Sequence, residues 1–331
     1  MTDNSFPQNI PHIVDAGARY GVHPTWRDYD GPYRYFMFEP DPLEAERLSE
    51  KYKERADEIT VIGKALGRSE GQMTLNVLGH RGQSTMFTPN NDSAWFSRYR
   101  AGEDNIVDRL SVPTISLDQA GREHGIEFDF VKSDTEGSEP DIFLGAVNQL
   151  DEHILGVRCE VFFGDIYEQG TNFATIEEIL KKSGFRLLNI DCAGEGSPIN
   201  PYYKGDVFGY LEGTDAVWIK PVASIIENSG WSDDKKIISS LKLSAFCFNN
   251  NATDVAVQNL LDLNEAIPNA VANAQDIYLF KYLDRKVQTL FKDLGNHLAH
   301  RHADLDSTYL SIFGRKRKLR HEFFQDPELN P

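Results

Sequence analysis

Cysteine is scarce: Cys159, Cys192 and Cys247 are the only three in 331 residues. An odd number of widely spaced thiols builds no disulfide framework, and none stands in the Cys-x-x-Cys spacing of a structural zinc site. A reducing compartment is therefore expected, and the protein reads as cytoplasmic. Positive charge is also short. The chain has 34 Lys and Arg against 51 Asp and Glu, a net charge of −17, so no nucleic-acid partner is expected, because phosphate contacts need clustered cations. No uninterrupted apolar run of about 18 residues occurs, and the opening Met1-Thr2-Asp3-Asn4-Ser5 lacks the basic-then-apolar build of a signal peptide. Neither a transmembrane segment nor export is expected. Also missing are the Gly-x-Ser-x-Gly elbow, the Walker loop and the His-Glu-x-x-His pair, the local signals of serine hydrolases, P-loop NTPases and zincins.

What is present is globular. Apolar residues make up 40% and charged residues 26% of the chain, and 331 residues suit about two domains. The acid excess is uneven: residues 222–331 hold 13 basic and 14 acidic side chains, whereas residues 1–221 hold 21 and 37. In residues 1–221 short β-rich runs alternate with helical patterns, the signature of an α/β domain whose parallel sheet is covered on both faces. Strands are expected at Ile13 to Asp15, Tyr35 to Phe38, Ile59 to Ile62, Phe128 to Lys132, Leu155 to Phe163, Phe185 to Ile190 and Asp215 to Lys220. Helices are expected over Glu44 to Arg55, Pro140 to Leu150 and Phe173 to Ser183, and Met73 to Leu78 reads as a hairpin arm. The polar stretch Gly79 to Asn105 shows no period. Beyond Pro221 the pattern changes, and Ile277, Phe280, Leu283, Val287, Leu290, Leu294 and Leu298 form the stripe of a long amphipathic helix. Residues 222–331 are therefore expected to form a helical C-terminal domain of three or four helices, packing on the sheet or on a second copy in a homodimer.

Three motifs carry chemistry. Asp15-Ala16-Gly17-Ala18-Arg19-Tyr20-Gly21 leaves the first strand as Asp-x-Gly-x-x-x-Gly. Glycine lets the backbone turn tightly against a ligand, while an acid at the start of the turn repels phosphate and suits a ligand with a positive group, such as the amino-acid moiety and sulfonium of S-adenosylmethionine. A plain strand turn is the alternative. Phe38-Glu39-Pro40-Asp41 puts Glu39 at the carboxyl end of the second strand, where it can accept both ribose hydroxyls of an adenosine. That reading does not choose between NAD and S-adenosylmethionine, and a solvated acid before a turn is the alternative. Gly63 to Gly67, with Ala65 and Leu66, could border an adenine. Lys132-Ser133-Asp134-Thr135-Glu136-Gly137-Ser138-Glu139 follows another strand, so Asp134 and Glu136 should face the crevice beyond the strand ends; capping of the next helix is the other reading.

Taken in order, these motifs, with Leu144-Gly145-Ala146 after the third, resemble those of FkbM-family methyltransferases. Ile115 to Asp118, Glu160-Val161, and Ile179-Leu180 to Gly184-Phe185 add to the likeness, which spans residues 12–221. The resemblance implies a class I methyltransferase fold, a Rossmann-like seven-stranded sheet whose last strand is antiparallel. It implies S-adenosylmethionine as donor, with S-adenosylhomocysteine as product, held by Asp15, Gly17, Ala18, Arg19, Gly21, Glu39, Pro40, Ala65, Leu66 and Ser133. It implies O-methylation of a sugar, glycan or related natural-product hydroxyl, with Asp134 as first and Glu136 as second candidate base. Two departures stand out. Arg19 replaces a frequent Asn, and His23-Pro24-Thr25-Trp26 disrupts the helix after the glycine turn, so residues after Gly21 are candidates for substrate contact.

Several alternatives stay open. Asp134, Glu160 and Asp165 could supply hard oxygen ligands to Mg2+, though no metal site is assigned. His297, His300 and His302 read as helix-end residues meeting the dipole rather than as zinc ligands. His23 and His80 are loop histidines near the crevice, and Gly79 to Thr85 resembles the family's polar segment near donor or acceptor. The basic run Arg315 to Arg320 would favour weak association with an anionic surface. The competing functions are an NAD-dependent sugar oxidoreductase, disfavoured by Asp15, and a nucleoside-binding assembly module without catalysis.

Overall fold

Five consecutive buried residues form the first strand, β1 (His12–Ala16), as a strand covered on both faces requires. The structure, a computed structural model, describes residues 9–27, 29–90, 92–93, 96, 105–168, 170, 172–191, 195–196, 210–297, 308–309 and 311–313. After β1 come α1 (Pro24–Arg27), β2 (Arg34–Phe38), α2 (Pro42–Lys51), β3 (Ile59–Ile62), β4 (Ala65–Leu66), β5 (Gly71–Leu78), β6 (Thr88–Pro89) and β7 (Ile106–Ile115). The chain continues with α3 (Leu117–His124), β8 (Phe130–Ser133), α4 (Glu139–Leu144), α5 (Val147–Glu152), β9 (Gly156–Phe162), β10 (Tyr167–Glu168), α6 (Phe173–Lys182) and β11 (Arg186–Ile190). The remaining elements are β12 (Glu195–Gly196), β13 (Tyr210–Leu211), β14 (Gly213–Ile219), α7 (Val222–Ile226), α8 (Asp233–Asn249), α9 (Thr253–Ala266), α10 (Ala270–Asn273) and α11 (Tyr278–His297).

The main sheet has seven strands in the order β11-β14-β9-β8-β1-β2-β3. β3, β2, β1, β8 and β9 run parallel, and β14, the last in the chain, is antiparallel to both β9 and β11. This is the seven-stranded arrangement that the family resemblance implies. The chain builds outward from β1 through β2 to β3 and then returns to β8 on the other side of β1. At that reversal the connections leave in opposite directions and a crevice opens beyond the carboxyl ends of β1 and β8.

Strand alternation divides the core in two. On one face, Val14, Ala16, Val131, Val157 and Trp218 pack with Leu117, Ile142, Phe143, Leu150, Ile176 and Leu180 from the helices between strands. On the other, Ile13, Tyr35, Met37, Phe130 and Val217 pack with Trp26 and with Leu241, Phe246, Leu260, Leu283 and Val287 from the helices after Pro221. Phe246 stacks on Phe130 with ring centroids 4.6 Å apart. Below them, the buried Lys242 of α8 donates to both carboxyl oxygens of Asp129 at 2.9 and 2.8 Å, at the amino end of β8.

The local differences from expectation have physical causes. Pro24 begins the short helix α1 rather than breaking it, since at the first helical position its missing N–H costs nothing. The helix expected from Pro140 to Leu150 is two helices, α4 and α5, because the Gly145 carbonyl leaves the helix to accept from the Asp118 backbone N–H at 3.0 Å. The arm at Met73 to Leu78 pairs with β7, whose Ile106–Ile115 stretch is exposed at its start and so lacks an apolar alternation. The helices α7 to α11 follow Pro221, with further helical residues at 308–309 and 311–313, and among the described residues no strand follows them. No described helix is long and apolar enough to cross a membrane. Cys192, His300, His302 and the basic run Arg315 to Arg320 lie outside the described residues, and the side chain of His297 is not described.

The Phe130–Phe246 stack joins the sheet to α8. Phe246→Ala, at a site 2% exposed, is expected to lower unfolding free energy by about 3–5 kcal/mol, measured by urea denaturation followed through far-ultraviolet circular dichroism.

Candidate active site

The turn after β1 is built on Gly17, whose φ is +77°. A Cβ there would lie 1.9 Å from the Asp134 carbonyl oxygen, so the position has no room for a side chain. The Gly17 and Ala18 amides both donate to the Phe38 carbonyl, at 3.1 and 3.4 Å, and the Asp134 amide donates to the Ala16 carbonyl at 3.1 Å. The loops leaving β1, β2 and β8 are thereby tied together at one end of the sheet. Between them lies an open cleft enclosing about 650 Å³.

Of the residues expected to hold a nucleoside donor, Gly17, Arg19, Glu39, Pro40, Ala65 and Leu66 line this cleft, and so do both candidate bases, Asp134 and Glu136. Asp15, Ala18, Gly21 and Ser133 do not. Asp15 lies on the face of β1 that carries Ile13, opposite Ala16, where its carboxylate accepts from the Tyr35 hydroxyl at 2.7 Å and pairs with Lys132 at 3.2 Å. The positive group that meets Asp15 is therefore a lysine of the chain itself. Ala18 is buried in the core, Gly21 sits against Tyr52, and the buried Ser133 hydroxyl has no hydrogen-bond partner among the described residues.

Glu39 is buried at the cleft wall and accepts from the Asp41 amide at 2.9 Å. Burial pushes its carboxyl up to about 7, despite that hydrogen bond and the nearby Arg19. Arg19 is held away from Glu39 by Asp41 at 2.8 Å and by Glu44 at 3.5 Å. Arg81, from the short 3-10 turn Arg81–Gln83 after β5, reaches the same Asp41 at 3.2 Å.

At the other end stand the carboxyls of the third motif. Lys132 is buried, with Asp15 at 3.2 Å, Asp134 at 3.4 Å and the Gly17 carbonyl at 3.5 Å. Burial works against its charge, yet the two aspartates hold it protonated above the ordinary lysine range. The Asp134 side chain is 40% exposed and faces the opening. Glu136 is buried, has φ of +58°, and accepts a hydrogen bond from the Tyr167 hydroxyl, while its backbone carbonyl accepts from Thr85 Oγ1 at 2.6 Å. Burial, then Asp134, raise the Glu136 carboxyl well above the ordinary range. Glu139 serves the loop itself, accepting from the Thr135 amide at 2.6 Å, the Thr135 hydroxyl at 2.7 Å and the Gly137 amide at 2.9 Å.

Carboxyl oxygens of Asp134, Glu136 and Glu160 lie within 4.8 Å of one another, and one Glu160 oxygen is buried without a hydrogen-bond partner. This hard-oxygen set suits a divalent ion. Asp165 does not belong to it: the residue is exposed, in a loop whose carbonyl accepts from Asn90 Nδ2 at 2.7 Å. Burial, then Lys132 and Arg158, depress the His23 imidazole to about 4, and its Nδ1 accepts from the Thr25 amide at 3.3 Å at the start of α1, which leaves it a poor base.

Tyr20, Leu75, Ser84, Met86 and Ser138 also line the cleft, and Tyr167 closes the acidic end behind Glu136. Of these, Tyr20, Ser84 and Ser138 belong to segments the motifs flag. Nothing local to β10 marks Tyr167, whose role comes from a contact 31 residues away in sequence.

Residues 15–187 match the family model described as the methyltransferase FkbM domain. A solved FkbM methyltransferase from Methylobacillus flagellatus is 16% identical at a TM-score of 0.38, over 64% of this chain and 44% of that one. The chain thus spans less than half of that protein's length. A precorrin-6y C5,15-methyltransferase from Geobacter metallireducens is 13% identical at a TM-score of 0.33, over 66% of this chain and 85% of that one. No curated protein matches significantly.

Glu39 makes stability pH-dependent. Its folded pKa of about 7 lies above the ordinary 4.5, so its contribution is complete below about pH 4.5 and is lost as pH rises through about 7. Relative to Glu39→Gln, the unliganded wild type is expected to lose on the order of 2–3 kcal/mol between about pH 4.5 and pH 8, measured by urea denaturation across that range.

Proposed function

The chain belongs to the FkbM methyltransferase family, and from that premise we propose that it transfers a methyl group from S-adenosylmethionine to a hydroxyl of a sugar, a glycan or a related natural product. The observation that carries this reading is the contact between Gly17 and Asp134, which sets a side-chain-free turn and an acidic loop on two walls of one cleft.

When bound, S-adenosylmethionine supplies an electrophilic methyl group on a sulfonium. The cleft suits such a donor: Glu39 can accept from two ribose hydroxyls, and Phe38, Pro40, Ala65 and Leu66 offer an apolar border for adenine. Two hydroxyl donors on Glu39 would favour its ionised form, so nucleoside binding and ionisation of this carboxyl reinforce each other. The chain's remaining work is at the acceptor. Asp134, paired with Lys132 at 3.4 Å and open to solvent, is placed to take the proton of an acceptor hydroxyl onto its carboxylate, a contribution of about 10²–10⁴-fold. Glu136, anchored by Tyr167 and Thr85, positions the acceptor beside it. Alignment of the two reactants contributes more, on the order of 7–11 kcal/mol in well-organised cases. If Mg2+ takes part, Asp134, Glu136 and Glu160 would hold it and it would orient vicinal hydroxyls of the acceptor.

Calorimetry with S-adenosylhomocysteine is expected to show binding, with no response to NAD. NAD binding in its place would overturn the reading. Asp134→Asn is expected to lower methyl transfer by about 10²–10⁴-fold while S-adenosylhomocysteine affinity stays within a few-fold, measured by product formation and titration. Undiminished turnover in this variant would remove Asp134 as the base.

A further inference from the structure

A second opening adjoins the cleft. It is an open groove formed by the segment after Gly21 and the end of α2. Tyr20 lines both spaces and is 67% exposed, so the groove and the cleft share this side chain as their common wall. The helix α1 is short, and the chain passes close over Tyr29 at Gly31, whose Cβ would lie 2.5 Å from the Tyr29 hydroxyl.

The groove presents Tyr20, Tyr29, Tyr33 and Tyr52 together with three cations, Arg27, Lys51 and Arg55. Its two acids are already engaged: Asp30 pairs with Arg285 at 2.6 Å and Glu58 with Arg55 at 2.7 Å. Among the described residues Arg27 and Lys51 have no acidic partner. Arg27 donates through Nε to the Val22 carbonyl at 3.0 Å, and the Lys51 ammonium lies 4.9 Å from the Tyr52 ring centre. Tyr29 is 3% exposed, and its hydroxyl has no hydrogen-bond partner among the described residues. A buried hydroxyl left unpaired costs free energy that a ligand could recover. Two cations without an acidic partner among the described residues, on a chain of net charge −17, mark a local attraction for negative charge. Tyr20 offers an exposed ring face to a polar, ring-shaped ligand, whereas the Tyr33 and Tyr52 hydroxyls already accept from Arg55 at 2.9 Å and from the Val22 amide at 3.1 Å.

We propose that this groove is a subsite for an acidic saccharide, holding a negatively charged sugar unit of the acceptor while its neighbouring unit presents a hydroxyl to the cleft past Tyr20. The subsite rests on the methyltransferase reading for its role as part of the acceptor site, but its binding chemistry is separate from donor binding. Arg27 and Lys51 meet the anionic group, the Tyr29 hydroxyl pairs with a sugar oxygen, and the exposed Tyr20 ring sets the plane of the sugar. Attraction of this exposed kind weakens with salt.

The test is calorimetric titration of the full chain with tetragalacturonate, sucrose octasulfate, neutral cellotetraose and inorganic phosphate. At least one of the two acidic saccharides is expected to bind at least about tenfold more tightly than cellotetraose. The two together distinguish a carboxylate from a sulfate as the anionic group. The double variant Arg27→Ala/Lys51→Ala, altered at the surface, is expected to weaken that binding at least about tenfold, and Tyr29→Phe about threefold or more. S-adenosylhomocysteine affinity and melting temperature should not change in the double variant. Equal affinity for acidic and neutral saccharides, indifference to the double substitution, or phosphate binding with no saccharide preference would each overturn the subsite. S-adenosylhomocysteine binding without a response to either acidic saccharide would overturn the subsite alone. Saccharide binding without S-adenosylhomocysteine binding would overturn the donor assignment, and with it the groove's role as an acceptor subsite.

Discussion

The ammonium of Lys132 sits out of solvent between Asp15 at 3.2 Å and Asp134 at 3.4 Å, beside the Gly17 carbonyl at 3.5 Å, and the acidic end of the cleft depends on it. It reaches from β8 to the end of β1, so the two strands at the topological reversal share one charge. Removing it would leave Asp15 buried without its counter-charge, a far costlier state than losing a surface ion pair. It also settles the direction of Asp134, the carboxyl that reaches solvent.

Around that pair the site holds several groups that would be better solvated elsewhere. Burial raises the carboxyls of Asp15, Glu39 and Glu136, and Glu136 adopts a left-handed backbone conformation unusual for a side chain of its length. The rest of the fold supplies the stability that this arrangement costs. Two apolar layers cover the sheet, and the Asp129–Lys242 pair and the Phe130–Phe246 stack bind α8 to its far face. Unfavourable burial is concentrated at the carboxyl ends of the strands, where ligands bind, and apolar packing elsewhere. The helices after Pro221 thus share their core with the sheet, and Tyr278 and Arg285 of α11 also bond to Asp30, at the rim of the tyrosine-lined groove.

The pattern of strands, the reversal at β1, and the placing of Glu39, Asp134 and Glu136 were legible from residue order, because each follows an apolar run whose end defines where a side chain must emerge. Asp15 was not, since one residue of register decides which face of β1 it takes, and that face carries Lys132 and Tyr35. The partner of the hairpin arm, β7, escaped notice because its exposed beginning has no apolar alternation. Asp165 gave way to Glu136 in the acid cluster because the turn after β8 swings Glu136 toward Glu160.

By itself the order of amino acids determined the architecture of the sheet, the family, and the two acidic motifs beside the cleft, since these rest on periodicity and on short spacings along the chain. Which of those residues meet was decided by tertiary structure. Lys132 between two aspartates, Tyr167 behind Glu136, Arg81 on Asp41 and the tyrosines of the groove all come from separate elements. Their contacts depend on strand order, on face and on the reach of a side chain, and no local spacing encodes these.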